Sequence, residues 1–158
     1  MTVVDAEPTL REIARLLAEC RLEAVLVGNA AAALQGAPVT TLDFDFMFRR
    51  TPANIRKLKL LADKLGGRIL KPYYPASGLY RVVVEDRGLQ MDFMSSLHGI
   101  RSFEGLRSRA AQTHFGGSSL LVADLRDVIR SKKALGRPRD LAVLEILEAA
   151  LDEKEKNK

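Results

Sequence analysis

Hydrophobic and polar positions repeat along the chain with two spacings, and each spacing predicts a different kind of element. Apolar residues three to four positions apart, with proline or a capping residue before them and glycine after them, indicate an amphipathic helix. Short apolar or alternating runs bounded by turn residues indicate strands. The predicted helices cover residues 8–20, 30–35, 52–65, 125–135 and 138–151, and the predicted strands cover residues 24–27, 42–48, 68–70, 79–84 and 89–94.

The connections between these elements predict how they assemble. The segment DRG at 86–88 separates the last two strands, so we expect a hairpin there. Residues 97–119 have no clear period, although a helix near 103–111 fits part of them and the stretch GGSS at 116–119 has the composition of a turn. The order of elements predicts an α+β (or α/β) fold, with helices packed on a mixed β-sheet and a C-terminal pair of helices.

Composition and length are those of an ordinary globular protein. The chain has 158 residues, 47% of them hydrophobic and 28% charged, which predicts one domain with a core of its own. We expect that domain to span residues 1–151, followed by a frayed, charged tail over residues 152–158. No apolar run approaches the ~18 residues of a membrane span, and no signal-peptide pattern is present, so we expect no membrane association. The single cysteine, Cys20, excludes an internal disulfide and fits a cytoplasmic location.

Charge is distributed unevenly along the chain. The formal net charge is +5, yet residues 1–48 carry three basic and seven acidic side chains. Residues 49–71 carry eight basic side chains and one acidic side chain, a net charge of +7. Such a run forms either a solvated helix face or a surface for a polyanion such as RNA. The charge pattern alone leaves both interpretations open.

Aspartates occur in two of the predicted strands, where this residue type is uncommon. Asp43 and Asp45 are two positions apart, so a strand places both on one face, where like charges destabilise each other. Asp92 is the lone acid of the last strand. If the two strands are neighbours, three carboxylates converge as oxygen ligands for Mg²⁺ or Mn²⁺, the arrangement of a two-metal nucleotidyl-transfer site. The alternative is that the aspartates are solvated on an exposed face.

The segments around these aspartates resemble a known signature. They are VLVGNA (25–30), LQGAP (34–38) and TLDFD (41–45), followed by Asp92 on a later strand. This order resembles that of the DNA polymerase β-like nucleotidyltransferase superfamily: an apolar strand, a Gly-Gly or Gly-Ser turn, a short helix, Asp-x-Asp and a third aspartate. The stretch SKKALGRPRDL (131–141) resembles a segment of small bacterial and archaeal nucleotidyltransferase-like proteins, among them relatives of the AbiEii toxins. The resemblance covers residues 22–145.

This resemblance implies a function and a set of site residues. The implied enzyme uses Mg²⁺ (or Mn²⁺) to move a nucleoside monophosphate from an NTP to a hydroxyl of RNA, a protein or a small molecule. The basic run 49–71 would hold an RNA acceptor, and a cognate antitoxin or toxin protein is an expected partner. The implied catalytic metal ligands are Asp43, Asp45 and Asp92. The implied nucleotide-binding residues are Gly28, Asn29, Thr41, Lys132 and Arg137.

Two departures from the family pattern support an alternative function. Asn29 stands where the family usually has serine or glycine, and Val39 stands where relatives often have arginine. The alternative is a catalytically weak module of the same fold that binds nucleotide, RNA or a protein. A third possibility is a scaffold domain in which Asp92 lies far from the aspartate pair, with no cleft between them.

The basic residues of the C-terminal helix pair also have two interpretations. The resemblance makes Lys132 and Arg137 contacts of the triphosphate. A turn between two helices also favours ion pairs, here with Asp140 or Asp127. The sequence leaves the two open.

Overall fold

The structure is a computed structural model that describes residues 3–41, 43–70 and 78–158. These residues form six α-helices and seven strands, joined by loops and turns. The helices are α1 (Val3–Cys20), α2 (Gly28–Leu34), α3 (Pro52–Leu65), α4 (Phe103–Arg109), α5 (Leu125–Leu135) and α6 (Pro138–Lys156). The strands are β1 (Ala24–Val27), β2 (Phe44–Phe48), β3 (Arg68–Leu70), β4 (Leu79–Val84), β5 (Leu89–Met94), β6 (Ala111–Phe115) and β7 (Ser118–Val122). No described helix is both long enough and apolar enough to cross a membrane.

All seven strands belong to one mixed sheet, in the order β3-β4-β5-β2-β1-β7-β6. Strand β1 runs antiparallel to β2 and parallel to β7, while β2 runs parallel to β5. The antiparallel hairpins β4–β5 and β6–β7 extend the sheet on either side of this centre. The predicted architecture, an α+β fold with a mixed sheet and a C-terminal helix pair, is therefore confirmed.

Aromatic side chains fix the register of the two central strands β2 and β5. Phe46 and Phe93 are register partners, and their rings stack with centroids 4.9 Å apart. Phe48 packs edge-on against Phe93 and Tyr80, each with centroids 5.9 Å apart. Buried aromatic pairs of this kind contribute about 0.5–1.5 kcal/mol beyond the burial of their area. This register places the acidic residues of the two strands side by side.

Six elements have the predicted bounds: β1, α3, β3, β4, β5 and α5. Local signals explain the agreement for α3. The Thr51 side chain accepts a hydrogen bond from the Asn54 backbone N–H at 3.1 Å, and Pro52 occupies the first turn. Gly66 ends the helix at φ +73°, a left-handed conformation that glycine adopts without strain.

Three helix or strand starts are wrong in the sequence-based prediction. Strand β2 begins at Phe44, so Asp43 lies in the bend before the strand, while Leu42 lies outside the described residues. Helix α2 begins at Gly28 instead of residue 30. Helix α1 begins at Val3, five residues before the predicted start at Pro8, which therefore lies inside the helix. Element ends are the positions that local patterns determine least.

The hairpin β6–β7 is absent from the prediction, which gives only the turn at 116–119 and the helix near 103–111. Both features occur over shorter ranges: the helix is α4, which ends at Arg109, and the turn is confined to residues 116–117 because β7 begins at Ser118. Strand β6 is missing from the prediction because it lies at the edge of the sheet. Its residues Ala111, Gln112 and His114 are exposed, so no alternation of apolar and polar side chains marks it.

Helix α6 continues to Lys156, five residues past its predicted end. Most of the segment expected to fray is therefore helical. The Lys154 ammonium donates a hydrogen bond of 2.6 Å to Oε1 of Gln35, which follows α2. This contact ties the last turns of α6 to the body of the domain, and no local pattern in the sequence indicates it.

Candidate active site

A cleft of about 740 Å³ opens beside the central strands. Its walls come from β1, β2, β4 and β5, from the start of α2, and from α5 and α6. The structure brings all eight residues predicted for the site to this one cleft: Gly28, Asn29, Thr41, Asp43, Asp45, Asp92, Lys132 and Arg137.

The sheet register places two of the three predicted carboxylates next to each other. Asp45 on β2 is the register partner of Asp92 on the parallel strand β5. Neighbouring strands lie about 4.8 Å apart, so side chains on the same face of this pair are near neighbours. Asp43, two residues earlier, is exposed at the same cleft. The arrangement that the scaffold interpretation predicts, with Asp92 far from the pair and no cleft, is therefore wrong.

The turn from β1 into α2 brings the backbone against Asp45. Gly28 has φ +68°, and a Cβ atom built there would lie 2.9 Å from Oδ2 of Asp45. Any other residue at this position would therefore have a strained backbone and would force the Asp45 carboxylate to shift. The next residue, Asn29, has a buried Oδ1 with no hydrogen-bond partner among the described residues. Because buried polar atoms are nearly always paired, this unpaired oxygen points to a partner that the described residues do not supply.

Burial and neighbouring charge raise the pKa of Asp45 to about 6. Desolvation is the largest cause, followed by the negative charges of Asp92 and Asp43. The positive charges of Lys132 and Arg81 act in the opposite direction and are smaller. Ionisation of Asp45 is therefore less favourable than that of an ordinary aspartate, and a cation bound beside the carboxylate would offset this difference.

Arg81 on β4 is a site residue that the sequence analysis missed. Its Nε and Nη2 donate to the two carboxylate oxygens of Asp92 at 2.9 and 3.2 Å. The signal was present, since the predicted hairpin pairs Val84 with Leu89, and three steps outward the same register pairs Arg81 with Asp92. The hydrogen bonds to Asp92 raise the pKa of Arg81, with further contributions from the negative charges of Asp43 and Asp45.

The two cations predicted to contact phosphate both interact with Asp140. Arg137 donates from Nε and Nη2 to the Asp140 carboxylate at 2.6 and 3.1 Å, and Nζ of Lys132 lies 3.8 Å from Oδ1. Burial lowers the pKa of Lys132, whereas Asp140 and Asp45 raise it. The ion-pair interpretation is therefore correct for both residues, and both still line the cleft.

Thr41 was expected to contact the nucleotide and the basic run 49–71 to hold an RNA acceptor, but both have other surroundings. The Thr41 hydroxyl donates to the backbone carbonyl of Asp43, so it shapes the chain just before β2. None of the described residues 49–70 lines the cleft, and Lys71 lies outside the described residues. Ion pairs with acidic neighbours already engage three side chains of the run: Arg49, Lys64 and Arg68.

Five carboxylates line the cleft, and their ion pairs divide them into two groups. Three accept hydrogen bonds from arginine side chains: Asp92, Asp127 and Asp140. Asp43 and Asp45 form no ion pair with any described residue. The cleft therefore leaves unpaired the two acids of the Asp-x-Asp motif.

The unpaired acids fit a divalent cation in their chemistry. Mg²⁺ and Mn²⁺ prefer carboxylate oxygens, and Asp45 is an acid whose ionisation a neighbouring cation would favour. No three His, Cys, Asp or Glu side chains in the described ranges are already arranged as a metal site. The engagement of Asp92 with Arg81 agrees with that finding, because it occupies both oxygens of the third carboxylate.

Comparison with known proteins adds structural neighbours. No protein-family model matches the chain, and no curated protein matches it in sequence. A nucleotidyltransferase candidate from Thermotoga maritima superposes with a TM-score of 0.63 at 20% identity, over 97% of this chain and 96% of its own. The antibiotic-resistance factor ANT(2'')-Ia, solved in complex with adenylyl-2''-tobramycin, gives 0.65 at 13% identity, over 96% and 93%.

A nucleotidyltransferase-like antigen from Paracoccidioides brasiliensis gives a TM-score of 0.58 at 12% identity, over 96% of this chain and 78% of its own. The chain has the nucleotidyltransferase fold. The resemblance drawn from the segments VLVGNA, LQGAP and TLDFD is thereby confirmed at the level of the fold. In this nucleotidyltransferase fold, Asp45 and Asp92 lie on the adjacent strands β2 and β5, at the cleft.

Proposed function

We propose that the protein transfers a nucleoside monophosphate from an NTP to a hydroxyl group, with Mg²⁺ or Mn²⁺ as cofactor. The acceptor oxygen forms a bond to the α-phosphorus, and the bond from the α-phosphorus to the bridging oxygen of the β-phosphate breaks. Pyrophosphate leaves, and the hydroxyl proton passes to a carboxylate or to water. A divalent cation held by Asp43, Asp45 and Asp92 would neutralise charge on the triphosphate and lower the pKa of the acceptor hydroxyl.

The unpaired state of Asp43 and Asp45 carries this proposal. Every other carboxylate of the cleft has an arginine partner, whereas these two face the cleft without one among the described residues. Leaving Asp45 unpaired costs stability, since its pKa is raised to about 6. A structural role would not require this cost, whereas binding a cation would offset it.

The remaining cleft residues have roles that follow from their surroundings. Asp92 is the third carboxylate and the candidate proton acceptor. Lys132 and Arg137 offset phosphate charge from the α5–α6 side of the cleft. Gly28 lets the backbone approach Asp45 closely, and the unpartnered Oδ1 of Asn29 accepts from a nucleotide or from cation-bound water.

The test is transfer of label from each α-labelled NTP in the presence of Mg²⁺ or Mn²⁺. Three acceptors cover the hydroxyl classes: total tRNA, the protein itself and an aminoglycoside. The aminoglycoside is included because the neighbour ANT(2'')-Ia was solved with an adenylylated one. The double variant Asp43→Asn with Asp45→Asn should lose transfer by more than about 100-fold, the scale of losing a main electrostatic contribution to catalysis.

A matched control replaces two other aspartates by asparagine. Asp63 on α3 and Asp152 on α6 are exposed, and neither lines the cleft. The double variant Asp63→Asn with Asp152→Asn makes the same change in net charge and should keep wild-type transfer. Unchanged transfer in the Asp43/Asp45 variant, or an equal loss in the control, would contradict the proposal.

One observation favours a second candidate, a nucleotide- or RNA-binding module with weak catalysis. The bidentate contact with Arg81 occupies the third carboxylate, Asp92. If this pair persists when ligand binds, calorimetry should show RNA or protein binding that is insensitive to NTP and Mg²⁺. Under the leading proposal NTP binding instead strengthens with Mg²⁺. An RNA acceptor held by the run 49–71 and a cognate antitoxin remain hypotheses for the same assays.

A further inference from the structure

Arg81 occupies the position at which a cation would meet Asp92. Its guanidinium makes two hydrogen bonds, of 2.9 and 3.2 Å, with the two carboxylate oxygens. A bidentate contact of this kind is among the stronger ion pairs in proteins. Each of the two carboxylate oxygens of Asp92 therefore already accepts a hydrogen bond from the guanidinium.

The same guanidinium lies within the electrostatic reach of the whole acidic group. The negative charges of Asp43 and Asp45 contribute to the raised pKa of Arg81, and Arg81 in turn acts against the raised pKa of Asp45. Arg81 is therefore one of the cations that offset the charge of these carboxylates, and it is the one bonded to Asp92; the charge of Lys132 acts more strongly on Asp45. Lys132, the other nearby cation, lies 3.8 Å from Asp140.

The two partners of this ion pair differ in their freedom to move. The Asp92 side chain is 12% exposed, whereas the Arg81 side chain is 43% exposed. Asp92 is fixed between the hairpin partner β4 and the central strand β2. A guanidinium on a long, half-exposed side chain can turn into the cleft without any change in the sheet.

We propose that Arg81 is a built-in competitor of the divalent cation, which holds Asp92 while no metal is bound and must release it before the metal binds. This inference rests on the proposed function in one respect, that the carboxylates are the cation ligands. Arg81 is a positioning residue in this scheme, and it sets the metal concentration at which the site is loaded.

The experiment measures Mn²⁺ binding to the full chain without nucleotide, by calorimetry and by electron paramagnetic resonance. Arg81→Gln removes the competitor and one positive charge. Arg139→Gln is the matched control, because Arg139 lines the same cleft and forms no ion pair with any described carboxylate. Arg81→Gln should bind Mn²⁺ about tenfold more tightly than Arg139→Gln, the scale of one lost charged hydrogen-bond pair.

Two further variants make the result specific. Arg81→Lys keeps the charge but loses the fork, so its affinity should fall between those of the wild type and Arg81→Gln. This variant also carries the test if circular dichroism shows that Arg81→Gln does not fold. Adding Asp92→Asn to Arg81→Gln should remove the gain, because the contested carboxylate is then absent.

The inference is overturned if Arg81→Gln binds Mn²⁺ no more tightly than Arg139→Gln, if neither variant binds it, or if the gain survives Asp92→Asn. Label transfer is measured separately on the wild type. Tighter Mn²⁺ binding without any transfer would refute the enzyme and keep the competition. Transfer without tighter binding would refute only the role of Arg81.

Discussion

Replacing Asp45 by asparagine should stabilise the metal-free protein, although it removes a central residue of the site. Asparagine has nearly the same shape as aspartate but no charge to desolvate. The pKa of Asp45 is about 6 in the folded protein, against an ordinary value of 3.8. The folded chain therefore binds a proton at this residue more tightly than the unfolded chain does, which fixes the sign of the effect.

The magnitude follows from the same two values. At 1.36 kcal/mol per pH unit, ionising Asp45 destabilises the fold by about 3 kcal/mol at pH 8 relative to a neutral side chain. The penalty is absent well below pH 3.8, grows as pH rises from about 4 to 6, and is complete above that window. The advantage of Asp45→Asn should thus be near zero at pH 3, about half its full size at pH 5 and about 3 kcal/mol at pH 8.

Urea unfolding followed by circular dichroism, in EDTA at those three pH values, measures this difference. Asp63→Asn serves as the control, since Asp63 is exposed on α3, and it should stay within about 0.5 kcal/mol of the wild type. The reasoning is refuted if Asp45→Asn is no more stable than the wild type at pH 8. A gain that is the same at all three pH values would refute it as well, because ionisation would then not be the cause.

Two other substitutions test the packing around the cleft. Gly28→Ala should lower the free energy of unfolding by about 2 kcal/mol more than Gly66→Ala does. Both glycines have positive φ, but only at Gly28 would the added Cβ meet Oδ2 of Asp45, at 2.9 Å. Chemical denaturation of the two variants measures the difference, and equal losses of stability would contradict the contact. Asp140→Asn should cost about 1–3 kcal/mol at pH 7, since it removes the partner of Arg137. Because the pKa of Asp140 is lowered in the fold, that cost should shrink as pH falls below about 4, and a cost independent of pH would argue against the ion pair.

Local signals account for the parts of the fold that sequence patterns could predict. The apolar run of β1, the cap at Thr51 and the glycine at position 66 each act within a few residues, so their elements were predicted with the right bounds. Strand β6 depends instead on pairing with β7 at the sheet edge, where its exposed residues carry no pattern. The end of α6 makes contacts with residues far away in the sequence: Lys154 bonds to Gln35, 119 residues away, and Glu155 pairs with Arg126, 29 residues away.

In the site, too, the sequence indicates the residue types but does not determine which of them pair. The aspartates could be found because acids are unusual in apolar strands, and all eight predicted residues reach the cleft. Which acids are paired depends on geometry that composition does not contain. Arg137 and Asp140 are three residues apart and form an ion pair rather than a free phosphate contact. Arg81 meets Asp92 only through the register of the β4–β5 hairpin.

The three carboxylates of the site are tolerated in three different ways, and this explains why so acidic a group is stable without metal. Asp92 is neutralised by Arg81, Asp43 is exposed to water, and Asp45 has a pKa of about 6, so it retains a proton more readily than an ordinary aspartate. A bound cation would replace all three arrangements at once, since it would draw the proton from Asp45 and compete for Asp92. If the site binds a cation as proposed, metal loading, the ionisation of Asp45 and the release of Arg81 are coupled, and a change in any one of them should shift the other two.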